Sequence, residues 1–224
     1  MTTLLSRGSE VSAEEWATIE APTSIGYEIS KRAIDIVGAV AGLALFAPLL
    51  IYLAIMVKLE SDGPVFFRQR RVGLHGRQFV CYKIRSMVAD AEALKDSYEY
   101  LNEADGAAFK IRQDPRVTRV GKFVRRSSLD EFPQLWNVLR GEMSIVGPRP
   151  QILEEVEQYT PEQRQRLLVK PGITCLWQVS GRNDVDFEEW MRLDREYIRR
   201  RGFKTDVRIL LQTLPAVIAR KGAY

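Results

Sequence analysis

The chain has 224 residues, 46% of them hydrophobic and 28% charged, which suits one globular domain with an appendage and argues against a disordered chain. A net charge of +4 and a pI near 9.1 suit an anionic partner (phosphate, nucleotide, nucleic acid or anionic lipid) without choosing among them. Two distant cysteines, Cys81 and Cys175, imply no disulfide framework, and one histidine, His75, argues against a multi-histidine metal site or a Ser-His-Asp triad.

Residues 1–30 read as a polar, partly helical extension with no core of its own. From Ile36 to Val57 the chain runs "IVGAVAGLALFAPLLIYLAIMV" without a charge. As a helix this covers about 33 Å, against a hydrocarbon core of about 30 Å. A core helix of that length would show a polar stripe, so the pattern favours membrane residence. The acidic residues before it (Glu10, Glu14, Glu15, Glu20, Glu28) and the lack of a small-residue cleavage site argue against a cleavable signal peptide. Lys31 and Arg32 precede the segment, and Lys58, Arg68, Arg70 and Arg71 follow it. Positive flanks at both ends favour the cytoplasmic side for both. Pro48 removes a helical hydrogen bond in the middle. The expectation is a re-entrant helix over 31–58 that bends at Pro48; a single span kinked there is the alternative. Asp35 can pair with Lys31 or Arg32 at helical spacing.

Residues 64–85 read as two strands around a Gly-Leu-His-Gly turn, with His75 a turn residue. Ser86 to about Glu103 reads as a charged amphipathic helix, and "DPRVTRVGKFVRR" mixes a turn with basic residues. Asp130 to Leu139 reads as a short helix, and "GEMSIVGPRP" as a buried strand ending at Gly147. Thr160 and Pro161 suit the N-cap and first position of another helix. "KPGITCLWQVSGRND" reads as extended and turn-rich, and 185–201 as a charged helix. A last helix from about Asp206 gathers Val207, Leu210, Leu211, Leu214, Val217 and Ile218 on one face. It either packs on the core or lies in a membrane interface. The fold class is α/β of the α+β, mainly helical kind: a small domain beside a membrane hairpin.

The stretch "SSLDEFPQLWN", residues 127–137, places Asp130 beside Glu131. Ser128-Leu129-Asp130-Glu131 fits a capping box, which is a sufficient structural reading on its own. Basic residues in constrained places supply a functional one. Arg149 lies between two prolines in "GPRP", Arg182 follows a glycine in "SGRND", Arg125 precedes the carboxylates, and Lys83 and Arg85 end a strand. Each alone suits a solvated surface. Together with paired carboxylates at a helix N-terminus they suggest a phosphate site. Such a site wants a divalent cation, and Mg²⁺ takes one or two carboxylates plus substrate phosphates. There is no G-x-x-x-x-G-K-[ST] and no G-x-G-x-x-G.

In order and spacing, "KRAIDIVGA", "DGPVFFRQRRVG", "YKIRSM", "DPRVTRVGKFVRRSSLDEFPQLWNVLRGEMSIVGPRP" and "KPGITCLWQVSGRND" resemble the bacterial sugar transferases called monotopic phosphoglycosyl transferases. The resemblance runs from about residue 31 to the C-terminus. It implies a re-entrant helix broken at Pro48 and a catalytic domain over 59–224 at the cytoplasmic face of the bacterial inner membrane. The implied reaction moves a sugar-1-phosphate from a UDP-sugar to polyprenyl phosphate and releases UMP, with Mg²⁺ as cofactor. The implied catalytic pair is Asp130 and Glu131, which also hold the metal, and the implied phosphate-binding residues are Lys83, Arg125, Arg149 and Arg182. The family often has serine where Ala47 precedes Pro48, and glycine where Cys175 follows "PGIT". The arginines and the helix terminus would hold Asp130 ionised, as a nucleophile must be. Membrane lipids and a second copy of the chain are compatible partners, nucleic acid is not expected, and a non-catalytic scaffold of a polysaccharide assembly complex is the competing reading.

Overall fold

The computed structural model describes residues 24–103, 111, 113–180 and 186–218. In chain order they form helix α1 (Ile25–Glu60), strands β1 (Phe66–Val72) and β2 (Gln78–Ile84), helices α2 (Arg119–Arg126) and α3 (Gln134–Arg140), and strand β3 (Ser144–Val146). Helices α4 (Leu153–Glu157) and α5 (Pro161–Arg164), strand β4 (Gly172–Thr174), and helices α6 (Leu176–Ser180), α7 (Phe187–Arg200) and α8 (Phe203–Ile218) complete the order. The mainly helical α+β reading holds.

The expected hairpin forms: β1 and β2 pair antiparallel from Phe66 opposite Ile84 to Val72 opposite Gln78. The reversal uses positive φ at His75 (53°) and Gly76 (76°). β3 and β4 pair in parallel, Ser144 opposite Gly172 and Val146 opposite Thr174. At α5, Thr160 accepts from the Gln163 amide while the Gln163 side chain accepts from the Thr160 amide, with Pro161 in the first turn.

The helix expected over 86–103 does not form; the stretch contains turns and a 3-10 segment, Asp96–Leu101. The competing interaction is strand-like. The Ser86 carbonyl accepts from the Thr118 amide (3.1 Å), the Val88 amide donates to Arg116 (2.9 Å), and Met87 bridges Val117. This pairing takes the Ser86 carbonyl, which would otherwise accept a first helical bond, and holds residues 86–88 extended. "CLWQV" is a helix, α6, where an extended chain was expected.

α1 is assigned as one helix from Ile25 to Glu60, continuous through Pro48. It begins inside the expected 1–30 extension, whose residues 1–23 lie outside the described ones. One face of α1 packs on the fold between Asp35 and Val57. Ala39 joins Phe79, Cys81, Leu135, Val138 and Met143 in one core cluster. Leu53 and Val57 join Ile84, Val124 and Leu129 in another, and Phe46 meets Phe132 at 4.4 Å between ring centroids. Gly38 and Gly42 lie against Ile145 and Leu135, so α1 approaches closely there. The opposite face is apolar and open, with Val37, Val40, Leu45, Ile51 and Ile55 all exposed. A segment this apolar with an uncovered face suits lipid contact.

Both ends of α1 are tied to the same domain. At its start, Lys31 pairs with Asp206 (2.7 Å) and donates to the Val146 carbonyl (2.9 Å). Arg32 donates to the Val138 and Leu139 carbonyls, and Asp35 accepts from the Ser144 hydroxyl and the Ile145 amide. Asp35 therefore serves β3, not the Lys31 or Arg32 pairing expected from helical spacing. At its end, Glu60 accepts from the Arg119 and Val120 amides at the start of α2.

α8 divides differently from the expected apolar face. Ile209 is its buried anchor, within a core cluster also holding Val146, Val169, Tyr197 and Ile198, and Leu210 packs against that cluster. Leu211 and Leu214 point outward. The helix thus carries a core contact and an exposed apolar strip.

Candidate active site

The dyad stretch does not fold as a capping box. Ser128 is left-handed (φ 57°, ψ 19°) and its side chain makes no cap bond. Leu129–Glu131 is a single 3-10 turn, and α3 begins only at Gln134. Sequence reasoning missed this because Ser-x-x-Glu satisfies a cap pattern whatever the backbone does. Glu131 does not reach back to the Ser128 amide. It reaches across the fold, where its Oε1 takes Lys83 Nζ at 3.2 Å and Arg149 Nη1 at 2.7 Å.

Four separate elements deliver this arrangement. Lys83 comes from β2, Arg125 from the last turn of α2, the carboxylates from the 3-10 turn, and Arg149 from the extended segment that follows β3. Arg125 lines the same cleft as Asp130 and donates through Nε to the Ser86 hydroxyl at 2.8 Å. The structure thus brings together Lys83, Arg125, Asp130, Glu131 and Arg149. Arg182 lies outside the described residues. Pro48 lies within α1, away from the dyad turn in sequence but on the helix against which that turn packs.

Arg85 has a different role from the phosphate contact its strand-end position suggested. Its guanidinium donates to the Asp62 carbonyl (2.5 Å) and to the Ser61 carbonyl (2.6 Å), binding the exit of α1. Orphan carbonyls at a helix C-terminus attract such a cation.

The cleft holds about 960 Å³, at the upper end of ordinary ligand pockets and large enough to bring two substrates together. Burial pushes the Asp130 carboxyl up to about 6, with Glu131 adding to the rise while Lys83, Arg149 and Arg125 oppose it. Burial would also raise Glu131, but Arg149 and Lys83 outweigh it and draw Glu131 down to about 2. The expectation that nearby cations dominate at Asp130 is therefore corrected: they dominate at Glu131. Asp130 is still mostly ionised at neutral pH, and its carboxylate takes no ion pair among the described residues.

No third metal-type ligand joins the pair among the described residues. Two adjacent carboxylates fit Mg²⁺ if substrate phosphates complete its oxygen shell.

Two arginines that the sequence reading passed over also serve the site. Arg71 lines the cleft and donates to the Pro150 carbonyl at 3.0 Å. Strand alternation could have found it, because Phe67 pairs with Lys83 and Arg71 lies on the same hairpin face. Arg166 donates to the Arg149 carbonyl at 2.8 Å; no local pattern marks it.

Residues 26–220 match the family model described as bacterial sugar transferase. The chain is similar to the galactosyl transferase CpsE of Streptococcus agalactiae, 46% identical over 196 residues, covering 87% of this chain and 43% of that protein. It is 45% identical over 198 residues to the undecaprenyl-phosphate galactose phosphotransferase of Salmonella typhimurium, covering 87% of this chain and 41% of that one. It is 40% identical over 200 residues to the exopolysaccharide production protein ExoY of Rhizobium meliloti, covering 88% of both chains. The chain thus spans under half the length of the first two and most of the third.

Proposed function

The chain belongs to the bacterial sugar transferase family, and from that membership we propose that it is a phosphoglycosyl transferase. It moves a sugar-1-phosphate from a UDP-sugar to undecaprenyl phosphate at the cytoplasmic face of the inner membrane, releasing UMP. The carrying observation is the unequal carboxylate pair. Glu131 is fixed by Lys83 and Arg149, while Asp130, in the same basic cleft, takes no ion pair among the described residues. A scaffold subunit would need no such pair.

Asp130 attacks the β-phosphorus of the UDP-sugar. The bond from that phosphorus to the α-phosphate oxygen breaks, and UMP leaves with the electron pair. A sugar-phosphate acyl phosphate remains on Asp130. An oxygen of the lipid phosphate then attacks the same phosphorus, the bond from phosphorus to the Asp130 oxygen breaks, and the Asp130 carboxylate leaves with the electron pair. This divides one transfer into two. Arg149, Lys83 and Arg125 orient the phosphates and neutralise their charge, which is most of what a phosphoryl-transfer enzyme must do. Asp130 and Glu131 would hold Mg²⁺ together with the substrate phosphates, and the ion supplies further neutralisation there.

A re-entrant α1 suits this reaction. The Lys31 and Glu60 contacts to one domain, and the basic flanks of α1, support a helix that enters and leaves the bilayer on the cytoplasmic side. The Salmonella and Streptococcus relatives carry galactose or galactosyl in their names, which makes UDP-galactose the first donor to try, with UDP-glucose beside it.

The test gives enzyme and Mg²⁺ each UDP-sugar without lipid. One UMP per active site, and a hexose-phosphate mass on the Asp130 peptide, is the expected result. No adduct, together with intersecting double-reciprocal lines, would establish direct transfer instead and reduce Asp130 to a base or metal ligand.

A further inference from the structure

Arg149 reaches Glu131 Oε1 through Nη1 (2.7 Å) from a segment whose carbonyls are held one after another. Pro148 accepts from the Gly172 amide (2.8 Å), Arg149 from Arg166 Nη2 (2.8 Å), Pro150 from Arg71 Nη1 (3.0 Å), and Gln151 from the Val72 amide (2.8 Å). Two of these donors are backbone amides from neighbouring strand ends. The other two are arginines, and they differ in kind. Arg71 borders the cleft. Arg166 is 3% exposed and has no access to a substrate.

A guanidinium is costly to bury, so its partners say what it is for. Arg166 Nη2 lies 2.7 Å from Asp194 Oδ2, and Nη1 donates to the Tyr159 hydroxyl at 2.7 Å. Its planar head lies over the Trp190 ring at 5.0 Å and the Tyr159 ring at 5.7 Å. Asp194 comes from α7 and Tyr159 from the turn after α4, so elements distant in sequence converge to hold one cation in one orientation. The group it presents to the site side is the bond to the Arg149 carbonyl.

We propose that Arg166, with Asp194 as its buried counter-ion, is a positioning pair for transfer: it fixes the Arg149 backbone so that the Arg149 fork stays on Glu131 and on the phosphate being transferred. The inference rests on the proposed transferase chemistry for the role of Arg149, but the hold itself belongs to the resting protein. A fork displaced by a fraction of an ångström stabilises transition-state charge poorly while ground-state binding changes less. Arg166 thus acts through Arg149 and touches no reacting atom.

The test replaces the pair with apolar residues, Arg166→Met with Asp194→Leu. A buried ion pair exchanged for apolar side chains of similar volume is often neutral for stability. The expected result is a melting temperature within a few degrees of wild type and kcat lowered at least tenfold, with KM for the UDP-sugar changed less than threefold. Arg166→Lys, which keeps the charge but not the fork, serves as the variant that folds if the double variant does not, and it should show the same loss.

A double-mutant cycle with Arg149→Lys then separates positioning from general packing. If Arg166 acts through Arg149, its loss adds nothing once Arg149 is changed. Wild-type kcat in the folded variants, or full additivity with Arg149→Lys, would overturn the proposal. ¹⁵N-arginine NMR of the resting enzyme needs no turnover. The Arg149 side-chain signal should broaden in Arg166→Lys, and an unchanged signal would overturn the hold even if the transferase reading itself failed.

Discussion

Asp130 and Glu131 are adjacent in the chain and opposite in charge behaviour: burial raises the first to about 6, and Arg149 and Lys83 draw the second to about 2. A nucleophilic Asp130 must be ionised, so turnover is expected to fall as pH falls through about 6. Added Mg²⁺ favours the ionised form and should move that acidic limb to lower pH. A pH–rate profile at two Mg²⁺ concentrations checks both. A limb that ignores Mg²⁺ would place the cation elsewhere.

The same two shifts act on stability with opposite signs. Asp130, raised above its unfolded value of roughly 4, weakens the fold fully above about pH 6, and this relaxes as pH falls from 6 towards 4. Glu131, held low, stabilises above roughly pH 4 and loses that contribution as pH falls through about 2. Asp130→Asn is therefore expected to abolish transfer while holding or raising the melting temperature at neutral pH.

Glu131→Gln should behave differently. It leaves Lys83 and Arg149 facing each other without their shared anion. A loss of about 3 kcal/mol is expected, the low end for breaking a buried pair because the site is partly open. Denaturant melts and turnover should decline together, in contrast with Asp130→Asn.

Ser128 has positive φ without being glycine, directly before the dyad turn. Such conformations cluster at functional sites. Ser128→Gly should keep the turn and be close to wild type in stability. Ser128→Val should cost about 1–2 kcal/mol and misplace Asp130, lowering kcat more than it raises KM. Equal activity in the two variants would show that the turn is not set by Ser128.

The placement of α1 can be read in intact cells. Cysteines introduced at Gly26 and at Ser61 should show one common accessibility pattern, blocked from outside and labelled after lysis. Labelling of one from outside would establish a simple span. Pro48→Ala restores a donor in mid-helix and is expected to move the protein towards that span.

Much of the site was legible because its parts are short-range. The Asp130–Glu131 pair, the proline-flanked Arg149 and the charge-free run before Lys58 are visible within a few residues each. The fold's use of them was not. Glu131 meets Lys83 across 48 positions, and Arg166 meets Arg149 behind the cleft, so neither pairing leaves a local trace. The start of the expected 86–103 helix was lost for the same reason: Ser86, Met87 and Val88 found partners at residues 116–118. Arg85 looked like Lys83 by position, and only the nearby end of α1 separates their roles.

Lys31 and Asp35 grip the strand that leads to Arg149, Arg85 grips the exit of α1 from the strand that carries Lys83, and Glu60 caps the helix that carries Arg125. Leu53 and Val57 back the turn that carries the dyad. The apolar helix is thus not a tether from which a water-soluble enzyme could be cut free. Trimming it would remove a wall of the core, and detergent micelles that crowd or bend it will act on the chemistry directly. Turnover should accordingly vary with the amphiphile chosen for purification, more than it would for an enzyme that merely hangs from its anchor.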